Sequence, residues 1–128
     1  MRIQDLLEET RTEDNFMDIM SDFLPFAMKE LGLHNLPKIK LVFSVPDTEQ
    51  PTFGKFENNK NLLWLAIENR HPLDIVRTLA HELVHYKQHL LGHLGPHSGD
   101  TGSPEENEAH SVAGVIMRHF NKANPQYF

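Results

Sequence analysis

His81-Glu82-Leu83-Val84-His85 decides how the rest of this chain is read. The stretch around it, Pro72 to Leu91, carries apolar residues at helical spacing: Leu73, Val76, Leu79, Ala80, Leu83, Val84 and Leu90. Pro72 suits a first helical position, Asp74 favours the positive end of the helix dipole, and Gly92 suits a stop. On a helix, positions four apart share a face, so the imidazoles of His81 and His85 can address one cation. Glu82 is turned about 100° from His81. It can lean over the cation without binding it, which is where a base acting on metal-activated water has to sit. Leu79, Leu83 and Leu90 are expected to pack inward.

Two rings do not complete a site. A catalytic zinc takes three protein ligands and leaves a fourth position to water. One solution continues the same helix with a glycine and a third histidine, but those positions hold Gln88 and Leu91. The other is a glutamate from a following helix. Ser103-Pro104-Glu105-Glu106-Asn107-Glu108 opens such a helix, with Ser103 as N-cap, Pro104 at the first position and Glu106 completing a capping box. It runs to about Phe120, with Ala109, Val112, Ala113, Ile116 and Phe120 as its buried stripe. On the helical wheel Glu105 lies near the middle of that stripe, Glu106 near one border and Glu108 roughly perpendicular to it, so the first two are the favoured ligands. The other acids stabilise the helix dipole.

His81-Glu82-Leu83-Val84-His85-Tyr86-Lys87-Gln88, followed by Glu106-Asn107-Glu108-Ala109-His110, resembles the gluzincin pattern of thermolysin-like metallopeptidases. The likeness is closest to minimal gluzincins, including small phage-encoded zincin-like proteins, and covers residues from about 38 to 120. It implies that Glu106 is the third ligand, with Ala109 at the pattern's small position. His110 then stands where the pattern often has an acidic residue that orients a zinc-binding histidine, a role an imidazole can also fill. It further implies an antiparallel edge strand above the metal that pairs with extended peptide; Thr52 to Phe56 is the candidate, where Gly54 would let another backbone approach.

At 128 residues the chain is expected to form one domain, and it has no cysteine for a disulfide or thiolate site. Residues 1–13 read as a short polar helix or arm. Asp14 to Leu31 is a helical pattern with Phe16, Ile19, Met20, Phe23, Ala27 and Leu31 inward, and Pro25 as a kink or restart. Met17, Met20 and Met28 read as core filling. Lys38 to Val45 alternates as a strand, with Ile39, Leu41 and Phe43 on one face. Thr52 to Glu57 is a second strand, and Pro46 to Pro51 is a turn-rich connection before it. Asn58 to Asn61 is a hairpin turn, and Leu62 to Ile67 is a third, more buried strand in which Trp64 reads as core. The expected fold class is α+β and zincin-like: an N-terminal helix, a small three-stranded sheet containing an antiparallel pair, the motif helix and the glutamate helix.

The functional expectation is a peptidase with one zinc per chain on His81, His85 and Glu106, Glu82 as general base, and a peptide or protein as substrate. His89 is expected to face outward. Loop residues His93 and His97, or Tyr127, are candidate donors to a developing oxyanion; His34, His71 and His119 read as structural or exposed. A net charge of −6 without a basic stripe argues against nucleic acid, and no stretch could span a bilayer, so the expected location is cytoplasmic, in a host cell if the chain is phage-encoded. Two alternatives stand beside it. One is a metal-containing zincin-like binding or regulatory module without hydrolysis, which would not need Glu82. The other is a His-rich metal carrier, which would hold more than one ion.

Overall fold

The computed structural model describes residues 3–45 and 52–128, with the backbone alone for residues 3–15. The Pro46–Pro51 connection lies outside these residues. Elements follow in the order α1 (Ile3–Leu31), β1 (Lys38–Val42), β2 (Gly54–Glu57), β3 (Leu62–Ala66), α2 (Pro72–Leu90) and α3 (Pro104–Ala123), closed by a 3₁₀ turn at Pro125–Tyr127. The class is α+β. No helix among the described residues is long and apolar enough to cross a membrane.

Residues 3–13 are not a separate element. They are the first turns of α1, which runs unbroken through Pro25 to Gly32, where a φ of +68° suits the residue without a Cβ. The expected inward residues of this helix are all buried, from Phe16 to Leu31. Met17 is not: it is 58 % exposed, because it falls off the apolar stripe that Met20 shares.

The sheet has the order β1-β3-β2, with β1 parallel and β2 antiparallel to the central strand. Strand alternation sends Leu63 and Leu65 into the core and Trp64 to the opposite face. Trp64 is therefore not core. Its indole N–H donates to Glu57 at 3.0 Å, and the Lys40 ammonium lies 4.8 Å from its ring centre. Of the expected apolar face of β1 only Ile39 packs against the core; Leu41 and Phe43 are exposed on this edge strand. The hairpin turn forms as expected, with Asn61 at a φ of +50°.

The motif helix α2 is the centre of the molecule and contacts α1, α3, β2 and β3. It is buried on several sides, by Ile75, Val76, Leu79, Ala80, Leu83 and Val84. A helix enclosed in this way is held by packing more than by its own propensity. Leu90, at its last turn, projects beyond the core and is 58 % exposed, against the inward position its spacing suggested. His71 caps the start by accepting the Leu73 N–H through its ring at 3.1 Å. Phe23 and Phe120, edge to face at 5.2 Å, join α1 to α3.

Gly54 has a different reason from the one its sequence suggested. A Cβ there would lie 2.5 Å from the Thr78 methyl and 3.2 Å from Cγ of Glu82, so the close approach is made by α2 of the same chain. Gly54→Ala should cost roughly 1–3 kcal/mol in urea unfolding. A Thr78→Ser background, which removes the offending methyl, should recover part of that loss; equal penalties in both backgrounds would contradict the packing argument.

Candidate metal centre

α2 and α3 run antiparallel. His81 and His85, one turn apart on α2, meet the first turn of α3 where Ser103 fixes its start by accepting the Glu106 N–H at 3.1 Å. The Glu106 carboxylate reaches both rings. His81 Nε2 lies 2.8 Å from Oε1 and His85 Nε2 lies 2.9 Å from Oε2. All three residues offer a ligand atom within 4.8 Å of the others. Glu105 and Glu108 do not join this cluster: the Glu108 carboxylate and the Glu105 main-chain carbonyl accept from Gln88 instead.

Gln88 is the residue that sequence reading passed over. It is 2 % exposed, and its amide Nε2 donates at 2.9 Å both to the Glu105 carbonyl and to the Glu108 carboxylate. Its Oε1 is thereby the acceptor, 2.8 Å from His85 Nδ1. His85 Nδ1 accordingly carries a proton, and in the neutral ring Nε2 presents a lone pair to Glu106. A lone pair and a carboxylate oxygen 2.9 Å apart repel unless positive charge lies between them. A proton or a cation can supply it. Tetrahedral zinc with bonds of about 2.0–2.1 Å sets ligand atoms about 3.3 Å apart, a few tenths of an ångström wider than the present contacts. The donor set of two imidazoles and a carboxylate suits zinc in type, and one donor atom from each residue lies within 4.8 Å of the others. The signal was in the sequence, since Gln88 follows His85 at i+3 on one helical face.

Glu82 lies beside the cluster, 8 % exposed, with its carboxylate accepting the backbone N–H of Phe56. Burial raises its pKa from 4.5 to about 7, with the Glu106 charge adding to the rise and His85 and the Phe56 N–H opposing it. Burial also lowers the pKa of His81, more than the Glu106 charge raises it, which favours the neutral, ligating form.

The other candidates divide. His110 is exposed on the next turn of α3, its ring centre 6.5 Å from that of His81, and the orienting bond to a site histidine comes from Gln88. His97 and Tyr127 are not brought to the cluster. His97 is solvent-exposed and pairs with Asp100 at 3.1 Å, because the Gly92–Gly102 loop folds on itself through Ser98. Tyr127 stacks on Phe120 and donates its hydroxyl to Asp22 of α1. His93 is exposed, His119 pairs with Glu30, and His89 is half-buried against Phe56 instead of facing outward.

A cleft of about 640 Å³ opens beside the cluster, between the start of β2 and the outer turns of α3, with Thr78, His81 and Glu82 in its floor. Compared with protein-family models, curated proteins and solved structures, the chain finds no match.

Two outcomes test the geometry. Gln88→Leu should weaken zinc binding about 10- to 100-fold by calorimetry, since it frees the His85 ring; unchanged affinity would contradict the orienting role. For Glu82 the raised pKa means that protonation stabilises the metal-free fold. That contribution is complete below about pH 4.5 and lost as pH rises through about 7. Under chelation, Glu82→Gln should match the parent near pH 4 and exceed it by on the order of 3 kcal/mol at pH 8. A gap independent of pH would count against the burial effect.

Proposed function

We propose that this chain is a zinc-dependent peptidase of the zincin type, in which His81, His85 and Glu106 hold the ion. The observation that carries the reading is the pinch of one carboxylate between two imidazole nitrogens, with a buried, unused carboxyl next to it. When bound, zinc supplies a Lewis acid that acidifies water and polarises a carbonyl. Glu82 takes the proton from water and returns it to the departing amine. A carboxyl with a pKa raised toward neutrality suits both transfers. Its Phe56 hydrogen bond holds it in place while it does so.

The edge of the sheet supplies a track for substrate. Phe53 accepts from Ala66 across the β2–β3 pair, so the alternate residues Gly54 and Phe56 turn their main-chain groups away from β3. The Phe56 N–H goes to Glu82, which sets this free edge alongside the catalytic group. Gly54 is left with a donor and an acceptor for an extended peptide. A purely binding module would gain nothing from a buried carboxyl at position 82, where its desolvation costs stability.

The zinc-loaded parent should cleave an unstructured protein such as casein or a mixed peptide library, and chelation should stop it. Glu82→Gln should keep one zinc per chain by mass spectrometry yet lose cleavage by at least about 10²-fold. Cleavage at the parental rate would remove Glu82 from the role of base, and a fully loaded parent that cleaves nothing would favour the binding module.

A further inference from the structure

The cleft beside the metal cluster differs in sign from the protein that carries it. The chain has a net charge of −6, yet among the described residues the only acid lining this cleft is the buried Glu82. Its walls carry Arg77 on α2 and Arg118 on α3, both exposed. Among the described residues neither arginine has a hydrogen bond or an ion pair. Arg70 shows the contrast. It is fixed to the Ala66 and Asp74 carbonyls and the Thr78 hydroxyl, and it stacks on Phe53, so its cation is already engaged in joining sheet to helix.

The positions of the two free arginines follow from helical spacing. Arg77 is one turn before His81. On α3, Glu106, His110, Gly114 and Arg118 recur every fourth residue and form one stripe. The Arg118 guanidinium folds back along it, with one nitrogen 3.6 Å from where a Cβ on Gly114 would stand. At 1.5 Å per residue, Gly114 is about 12 Å from Glu106, and Arg77 is about 6 Å from His81. Because the helices are antiparallel, both cations lie at the same end of the cleft. Extended peptide advances about 3.3 Å per residue, so this end is two to four residues from the bond at the metal.

The direction follows from β2. Gly54 packs on Thr78 and Glu82, whereas Phe56, further along, packs on Tyr86 and His89. A peptide paired antiparallel to β2 therefore runs from the Glu57 end toward Phe53, and its C-terminal part enters the arginine end. We propose that Arg77 and Arg118 form an anion subsite that selects peptides with a carboxylate two to four residues C-terminal to the scissile bond. The inference rests on the peptidase reading. The carboxylate is either an Asp or Glu side chain or the free C-terminus of a short peptide, since a guanidinium fork accepts both.

The test measures binding and cleavage separately. Zinc-loaded Glu82→Gln protein is titrated with fluorescent peptides of one parent sequence. One has an internal Glu and an amidated C-terminus, one has Gln there and a free carboxylate, and one is neutral at both places. At least one anionic peptide should bind about tenfold tighter than the neutral one, and the arm that does so identifies the source. Arg77→Ala and Arg118→Ala should each reduce that advantage, and the double variant should abolish it while leaving neutral-peptide affinity and zinc content unchanged. Both side chains are exposed, so the folded state should persist, as circular dichroism would check. Equal affinity for all three peptides, or an advantage that survives in the double variant, would overturn the subsite. If the arginine-dependent advantage is present but the parent cleaves none of the peptides, the arginines bind an anionic peptide without a scissile bond to select, and it is the peptidase reading that fails.

Discussion

Two imidazole nitrogens and two carboxylate oxygens meet between α2 and α3 at 2.8 and 2.9 Å, and Gln88 accepts from the Nδ1–H of His85, so in the neutral ring Nε2 faces the carboxylate with a lone pair. Such an arrangement is repulsive without a positive charge inside it. Such a charge would join the central helix to the glutamate helix where His81 and Glu106 both reach solvent. A proton could satisfy one ring. A divalent cation satisfies both rings and the carboxylate together, and it leaves room for a fourth ligand.

The surrounding structure is organised to hold this pinch in place. Ser103 sets the first turn of α3, and with it the height of Glu106 relative to α2. Gln88 receives two constraints from α3, the Glu105 carbonyl and the Glu108 carboxylate, and passes them to the His85 ring. The residues that flank Glu106 are thus tied to the cluster through one buried amide, Glu105 by its main-chain carbonyl and Glu108 by its carboxylate. On the other side, Gly54 lets β2 approach α2 closely enough for the Phe56 N–H to reach Glu82. Each of these contacts is made by a small or polar group whose contribution to the hydrophobic core is slight.

Much of this was legible in the residues and some was not, for identifiable reasons. The α2 and α3 boundaries could be read from Pro72, Gly92, Ser103 and Pro104, whose backbone preferences are local. Glu106 could be narrowed to two candidates by helical phase, since phase depends only on spacing. Gln88 was missed because its importance comes from partners 17 and 20 residues away, which a helical wheel does not show. His97 and Tyr127 were attractive on chemistry alone; their placement depends on how a loop and a terminal turn fold, through Ser98 and Asp22. Trp64 and Leu90 misled because hydrophobicity does not specify which face of the central strand, or which helix end, the core reaches.

The most direct test of the central claim is X-ray absorption at the zinc edge on the metal-loaded protein, with the same spectrum for Glu106→Ala. The account predicts one ion per chain, in a shell of nitrogen and oxygen at about 2.0–2.1 Å with the outer-shell signature of two imidazoles, and a lost or altered shell in the variant. A shell with one imidazole or none, or one that is the same without Glu106, would contradict it.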